Sequence, residues 1–199
     1  AFQLKAVFRI AGPEAIDAET IVTARRDLPS FEVCLSNYFA PGFDASVYAV
    51  QTFRAPRRPF FARADHNPLV DGNYLAFPRD RQAVLTIFDG RWEQPPHPVE
   101  WCINRYLAAP LAIRRDKESG LTALVMSPPG DCFAVATPYN QTPPDDVANH
   151  RSLYLSLFGF DVAAGQTVRA RSRLQIIADP ADAAAEKAYE DYARGASGK

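Results

Sequence analysis

The sequence predicts an all-β protein, an antiparallel β-sandwich with one C-terminal helix. Three observations predict it. About a dozen short extended runs succeed one another, each bounded by a turn signal. Seventeen prolines are scattered through the chain, where they break helices but suit loops and strand edges. No helical stretch alternates with the strands, as a parallel α/β fold requires.

In chain order, Leu4 to Ile10 is the first run, ended by the Gly12-Pro13 turn, and Ile16 to Arg25 is the second. Ser30 to Phe39 alternates, with Phe31, Val33 and Leu35 on one face and Glu32, Cys34, Ser36 and Tyr38 on the other. Strands are then expected at Ser46 to Phe53, Phe60 to Ala64, Tyr74 to Phe77, Ala83 to Phe88 and Leu107 to Arg114. Leu121 to Ser127, Phe133 to Thr137, Leu153 to Phe158 and Thr167 to Ile177 complete the set. Turn pairs separate them, among them Pro41-Gly42, Asp71-Gly72-Asn73, Asp89-Gly90, Ser119-Gly120, Pro129-Gly130 and Ala164-Gly165. Asp179-Pro180 offers a cap and a first-turn proline for a helix over Ala181 to Arg194. The chain thus reads as one sandwich domain over 1–178, a helix within 179–194 and a disordered tail over 195–199.

Composition narrows the function. With 47% hydrophobic and 12% aromatic residues, the 199-residue chain can bury a substantial core. Its 22 basic and 23 acidic residues leave a net charge of −1, which argues against a general nucleic-acid or anionic-membrane binder. No stretch approaches the roughly 20 apolar residues of a membrane-spanning helix. Cys34, Cys102 and Cys132 are too few and too far apart for a disulfide framework and read as buried free thiols. Asn140-Gln141-Thr142 matches a glycosylation acceptor. Because the chain begins at Ala1 rather than Met, removal of a leader, a tag or a longer segment is expected. Localisation and oligomeric state are not legible.

The chain has no glycine-rich nucleotide loop, His-Glu-x-x-His, Cys-x-x-Cys or Gly-x-Ser-x-Gly motif, and no cofactor is expected. His66, His97 and His150 lack ligand spacing, so no metal site is read from them. His150 follows a long polar loop and precedes a strand, the usual setting of an acid/base group, and is the catalytic candidate among the three. Glu32, mid-strand on the face opposite Phe31, is the candidate carboxylate, a general base if partly buried or else a group facing water, and Glu19 presents the same alternatives. The run Trp92 to Tyr106, "WEQPPHPVEWCINRY", places Trp92, Trp101 and Tyr106 near Glu93, Glu100, Asn104 and Arg105. Aromatic faces with a few polar groups suit a sugar, whose C–H faces are apolar and whose edges are polar. Core anchoring beneath a proline-rich loop is the other reading of those tryptophans. Arg169, Arg171 and Arg173 share one strand face, either solvated or walling a groove for an acidic ligand such as a uronic acid.

"HRSLYLSLFGFDVAAGQTVRARSRLQI" resembles the terminal strands of the galactose-mutarotase-like superfamily, with Ala163-Ala164-Gly165-Gln166-Thr167 at the turn into the last strand. "IDAETIVTARRDLPSFEVCLSNYF" is similar to that family's strands running into a Tyr-Phe corner, here Asn37-Tyr38-Phe39. Aldose 1-epimerases of the family carry His-x-Tyr-Phe-Asn at this corner. Ser36 stands at the histidine's position and Ala40 at the asparagine's. The resemblance implies a supersandwich-like fold and a saccharide or other small polar ligand. The ligand would lie on the concave face of the larger sheet, lined by Glu32, Tyr38, Arg105 and His150; Asn37, Trp92 and Trp101 are the further substrate-binding candidates. It leaves open a silent binder, an epimerase or lyase using a His/carboxylate pair, and a structural or assembly β-domain docking through its C-terminal helix.

Overall fold

The computed structural model describes residues 2–40, 42–50, 58–65, 74–96, 98–103, 105–140 and 151–197. Among the described residues, twelve strands form two sheets. The larger joins β1 (Phe2–Gly12), β2 (Ala15–Ala24), β12 (Thr167–Ile177), β9 (Thr122–Met126), β8 (Tyr106–Asp116), β4 (Phe43–Val50) and β5 (Phe60–Arg63) in that order. The smaller joins β3 (Leu28–Tyr38), β11 (Ser152–Val162), β10 (Cys132–Pro138), β6 (Tyr74–Pro78) and β7 (Trp101–Ile103). All pairings are antiparallel except β6 with β7, which run parallel. The chain is an all-β sandwich, as its alternation predicts.

Alternation places one side chain in two between the sheets. Val22, Ala45, Val47, Ala112, Val125 and Ala170 of the large sheet meet Phe31, Leu75, Phe77, Val135, Leu153, Leu155 and Leu157 of the small one. β9 and β10, however, are buried on both faces, so each sheet also needs an outer cover. Helix α2 (Asp182–Ser197) covers the large sheet, setting Ala185, Tyr189 and Tyr192 on Leu111, Ile113, Leu124 and Met126. Asp179 Oδ1 accepts from the Ala181 N–H at 2.8 Å at the helix start. The helix continues through Gly195 to Ser197 rather than stopping at Arg194, and Arg171 Nη1 donates to the Ala196 carbonyl at 2.5 Å.

The small sheet's cover corrects the expected strand at Ala83 to Phe88. That run is helix α1 (Arg81–Ile87), whose N-cap Asp80 accepts from the Ala83 N–H at 2.9 Å. A short apolar run fits either period, and here the cap decides it. Ala83 and Ile87, one helical turn apart, cover Ala76, Ala134 and Ala136. β7 adds a strand that the sequence reading left in the aromatic run. β11 also runs beyond Phe158, through a bulge where Phe158 and Gly159 both have positive φ, 74° and 77°. A Cβ at Gly159 would sit 2.4 Å from the Phe133 ring, so the position requires glycine. The Asp71–Asn73 turn and the end of the Ser46–Phe53 run lie outside the described residues. No helix among the described residues is long and apolar enough to cross a membrane.

One cation bridges the sheets. Arg114 of β8 is 1% exposed and points between the layers. Its Nη1 donates to the Phe43 carbonyl at 2.6 Å; its Nη2 donates to the Ser152 carbonyl at 2.9 Å and Thr137 Oγ1 at 3.2 Å. Burial, with the Arg151 charge nearby, lowers its pKa to about 10. It is still protonated at neutral pH. Arg114→Ala is expected to cost about 3 kcal/mol or more, because it empties a packed site and orphans three acceptors. Arg114→Lys is expected to recover little, since one ammonium cannot reproduce the fork. Urea unfolding of both variants measures this, and full rescue by lysine would refute the bridging role.

Alkali is a second lever on stability. Burial pushes the Cys34 and Cys132 thiols and the Tyr154 and Tyr189 phenols up to about 12, and raises Tyr192 as well. The unfolded chain gives up thiol protons at about pH 8.5 and phenol protons at about 10. Unfolding therefore releases protons, so stability complete below about pH 8.5 falls as pH rises toward the folded values. Melting temperature is expected to drop steeply above about pH 10 together with the tyrosinate absorbance rise. Ionisation well before unfolding would contradict it.

Candidate functional site: an aromatic band on the small sheet

The outer face of the small sheet has a floor of small side chains. Cys34 and Ser36 of β3 lie opposite Ser156 and Tyr154 of β11, which lie opposite Ala134 and Ala136 of β10; Ala136 in turn lies opposite Ala76 of β6. Small floors leave room for large rings, and a band of them crosses the face. Trp92 meets Trp101 edge to face at 5.3 Å between centroids, Trp101 meets Tyr74 at 5.8 Å, and Tyr74 meets Tyr154 at 6.2 Å. Tyr38 hydrogen-bonds Tyr154 and is two-thirds exposed at the far end. Trp101, Tyr74 and Tyr154 are each half-buried, so the band is part core and part surface.

At the tryptophan end the band opens into a cleft of about 420 Å³ lined by Ile87, Phe88, Trp92, Glu93, Val99, Glu100 and Trp101. The 3₁₀ turn Arg91–Glu93 brings Trp92 in, and the Val99 N–H donates to the Trp92 carbonyl at 2.8 Å, folding the proline-rich segment back on it. The Tyr74 N–H donates to the Glu100 carbonyl at 3.2 Å, which fixes the approach to β7. The cleft thus joins the aromatic faces of two tryptophans to two exposed carboxylates. Trp101 Nε1 finds no partner among the described residues.

Behind the band sits Glu32. Its side chain is only 7% exposed, Arg91 Nη1 donates to it at 3.4 Å, and Ser156 and Trp92 hydrogen-bond it as well. Asp89 holds the same Arg91 guanidinium from the other side through paired contacts. Burial outweighs these donors and raises the Glu32 pKa. Glu32 does not line the cleft; it anchors the turn that presents Trp92.

The sequence-derived candidates divide accordingly. Glu32, Tyr38, Trp92 and Trp101 gather on this one face, with Glu93 and Glu100 beside them, and the face belongs to the small sheet rather than to the larger one that the resemblance implies. Asn37 turns the other way, and its Nδ2 donates to the Leu153 carbonyl at 3.5 Å. Arg105 leaves the band altogether, its guanidinium 5.3 Å over the Phe60 ring, and Tyr106 pairs with Val50 in the large sheet. His66, His97, His150 and Asn104 lie outside the described residues, as do Gln141 and Thr142 of the glycosylation triplet. Phe88, Val99, Tyr74 and Tyr154 were missed as site residues. Only the register of β6, β7, β10 and β11 sets Tyr74 beside Trp101 and Tyr154 beside Tyr74, and sequence spacing carries no trace of it. Of the three free thiols Cys132 is buried, whereas Cys34 and Cys102 are half-buried.

The arginine row faces a different groove, of about 840 Å³, between the large sheet and the end of α2. Each guanidinium there already has a carboxylate. Arg169 pairs with Glu19 at 3.0 Å, Arg171 with Asp131 at 2.9 Å and Arg173 with Asp17 at 2.6 Å. Glu19 also takes Arg9 at 3.4 Å, and these two arginines hold its pKa down. This is a ladder of ion pairs, poorly suited to a uronate.

No family model and no curated protein matches this chain. Among solved structures, the Slr1438 protein from Synechocystis sp. PCC 6803 is similar, with a TM-score of 0.51 at 13% identity, over 90% of this chain. The chain spans 56% of that protein. At this identity the likeness shows the sandwich alone.

Glu32→Ala is expected to cost about 1–3 kcal/mol through the donors it strands, and to red-shift tryptophan emission as Trp92 loosens. The chain's two tryptophans both lie in the band, which makes the readout local. Emission unchanged from wild type would remove the anchoring role.

Proposed function

We propose that the chain is a carbohydrate-binding protein, and that the Trp92–Trp101 cleft receives the sugar. The observation that carries this reading is the pairing, in one open cleft, of two indole faces with the Glu93 and Glu100 carboxylates. An aromatic face suits the C–H side of a pyranose, and carboxylates accept from its hydroxyls. The resemblance of the Asn37-Tyr38-Phe39 corner and the Ala164-Gly165 turn to mutarotase-like proteins supports the same ligand class.

Binding is favoured over epimerase or lyase chemistry. An acid/base carboxylate must reach the proton it moves. Glu32 is instead enclosed by Arg91, Ser156 and Trp92, and Ser36 occupies the motif histidine's place.

Titration with neutral and acidic oligosaccharides, followed by tryptophan emission and thermal shift, tests the proposal. A cognate saccharide is expected to quench or shift emission and to raise the melting temperature by mass action, with Trp92→Ala losing both effects. Silence of both signals across the panel would overturn it. Aldose anomers exchanging no faster with protein than without, by proton NMR, is the expected result for a binder; faster exchange would restore the epimerase.

A further inference from the structure

The large sheet has two more strands than the small one, and its β1–β2 end overhangs. Phe2 still packs edge to face on Phe31 at 5.0 Å, but the rest of the β1 inner row runs past the small sheet's edge. Leu4 is 47% exposed, Phe8 67% and Ile10 85%, with Ile16 of β2 at 44% beside them. Among the described residues, the second edge of this 11-residue strand meets no other strand. Natural sheets usually blunt a long edge with a bulge, a proline, edge lysines or inward charge, and β1 carries its charges, Lys5 and Arg9, on the outer face alone. Here the inner row is Phe2, Leu4, Ala6, Phe8 and Ile10, apolar throughout, and the only irregularity is at Ile10/Gly12.

We infer that this edge pairs antiparallel with β1 of a second copy of the chain, about a two-fold axis at Ala6, to make one sheet continuous across a homodimer. A two-fold axis normal to the sheet keeps both inner rows on one side, which limits the registers to slips of two residues. Centred on Ala6, the pairing sets Phe2 opposite Ile10, Leu4 opposite Phe8 and Ala6 opposite itself, so every apolar residue of the row meets another. On the outer face Lys5 meets Val7, and Arg9 meets Gln3. The neighbouring registers, centred on Lys5 or Val7, put Lys5 opposite Lys5 or opposite Arg9, a like-charge contact that destabilises a ladder. A slip of the axis to Phe8 carries Phe2 past the end of the partner strand at Gly12, and a slip to Leu4 sets Phe2 opposite only Ala6. The strand's sequence therefore complements itself in one register, and that register covers the ledge that the small sheet leaves bare.

Sedimentation velocity of the full chain is expected to show a dimer at micromolar concentration, and a strict monomer there would overturn the inference. Phe8→Asp and Ile10→Asp, both at exposed positions, are expected to weaken the dimer by about tenfold or more while circular dichroism stays unchanged. A dimer indifferent to both overturns it. The register has its own test. Gln3→Glu, facing Arg9 of the second copy, is expected to tighten the dimer and Gln3→Lys to loosen it. A fourth cysteine, introduced at Ala6, lies at the axis, within disulfide reach of its mate. Ala6→Cys is therefore expected to cross-link under mild oxidation where Leu4→Cys does not. Cross-linking at Leu4 instead would refute the register. None of these readouts involves the tryptophan cleft, so its failure to bind sugar leaves them untouched.

Discussion

Strands apolar on both faces set the architecture. β9 and β10 bury every residue, so neither sheet can leave its centre open to water, and two layers become four. α2 lies over the large sheet, and α1 with the tryptophan band lies over the small one. The candidate site follows from this need. Rings gather on the small sheet because its floor is alanine, serine and cysteine, and those that cannot be fully covered leave the Trp92–Trp101 cleft. Site and cover are the same residues.

Polar groups within this stack are handled by enclosure. Arg114 gives its two terminal nitrogens to carbonyls and a hydroxyl of both sheets and, among the described residues, has no carboxylate in hydrogen-bond contact. Glu32 is the converse, an acid held by an arginine, a serine and an indole. The first fixes one sheet against the other; the second fixes the turn that carries the ring. Both are costly to bury and more costly to strand, which makes them specific to this arrangement of layers.

Much of the fold was legible from period and punctuation. Thr167 to Ile177 coincides with β12, and Ser30 to Phe39 differs from β3 only at its ends, because strict alternation with flanking turn residues has one reading. Ala83 to Phe88 failed because a six-residue run with five apolar residues carries no period of its own, and the deciding signal, Asp80 as cap, was available but unread. The site was half legible. Composition marked Trp92, Trp101, Glu93 and Glu100 as a group, and alternation put Glu32 and Tyr38 on one face. Spacing could not show that Arg105 would turn to Phe60, or that Tyr74 and Tyr154 complete the band. Those depend on pairing between strands far apart in the chain.

The ion-pair ladder beside α2 bears on how the molecule meets anything at all. With the three arginines of β12 each matched by a neighbouring carboxylate, and a formal charge of −1 on the whole chain, little field extends past the first hydration shells. Encounters are then governed by unguided diffusion and by orientation on contact, so the speed of association is nearly indifferent to ionic strength.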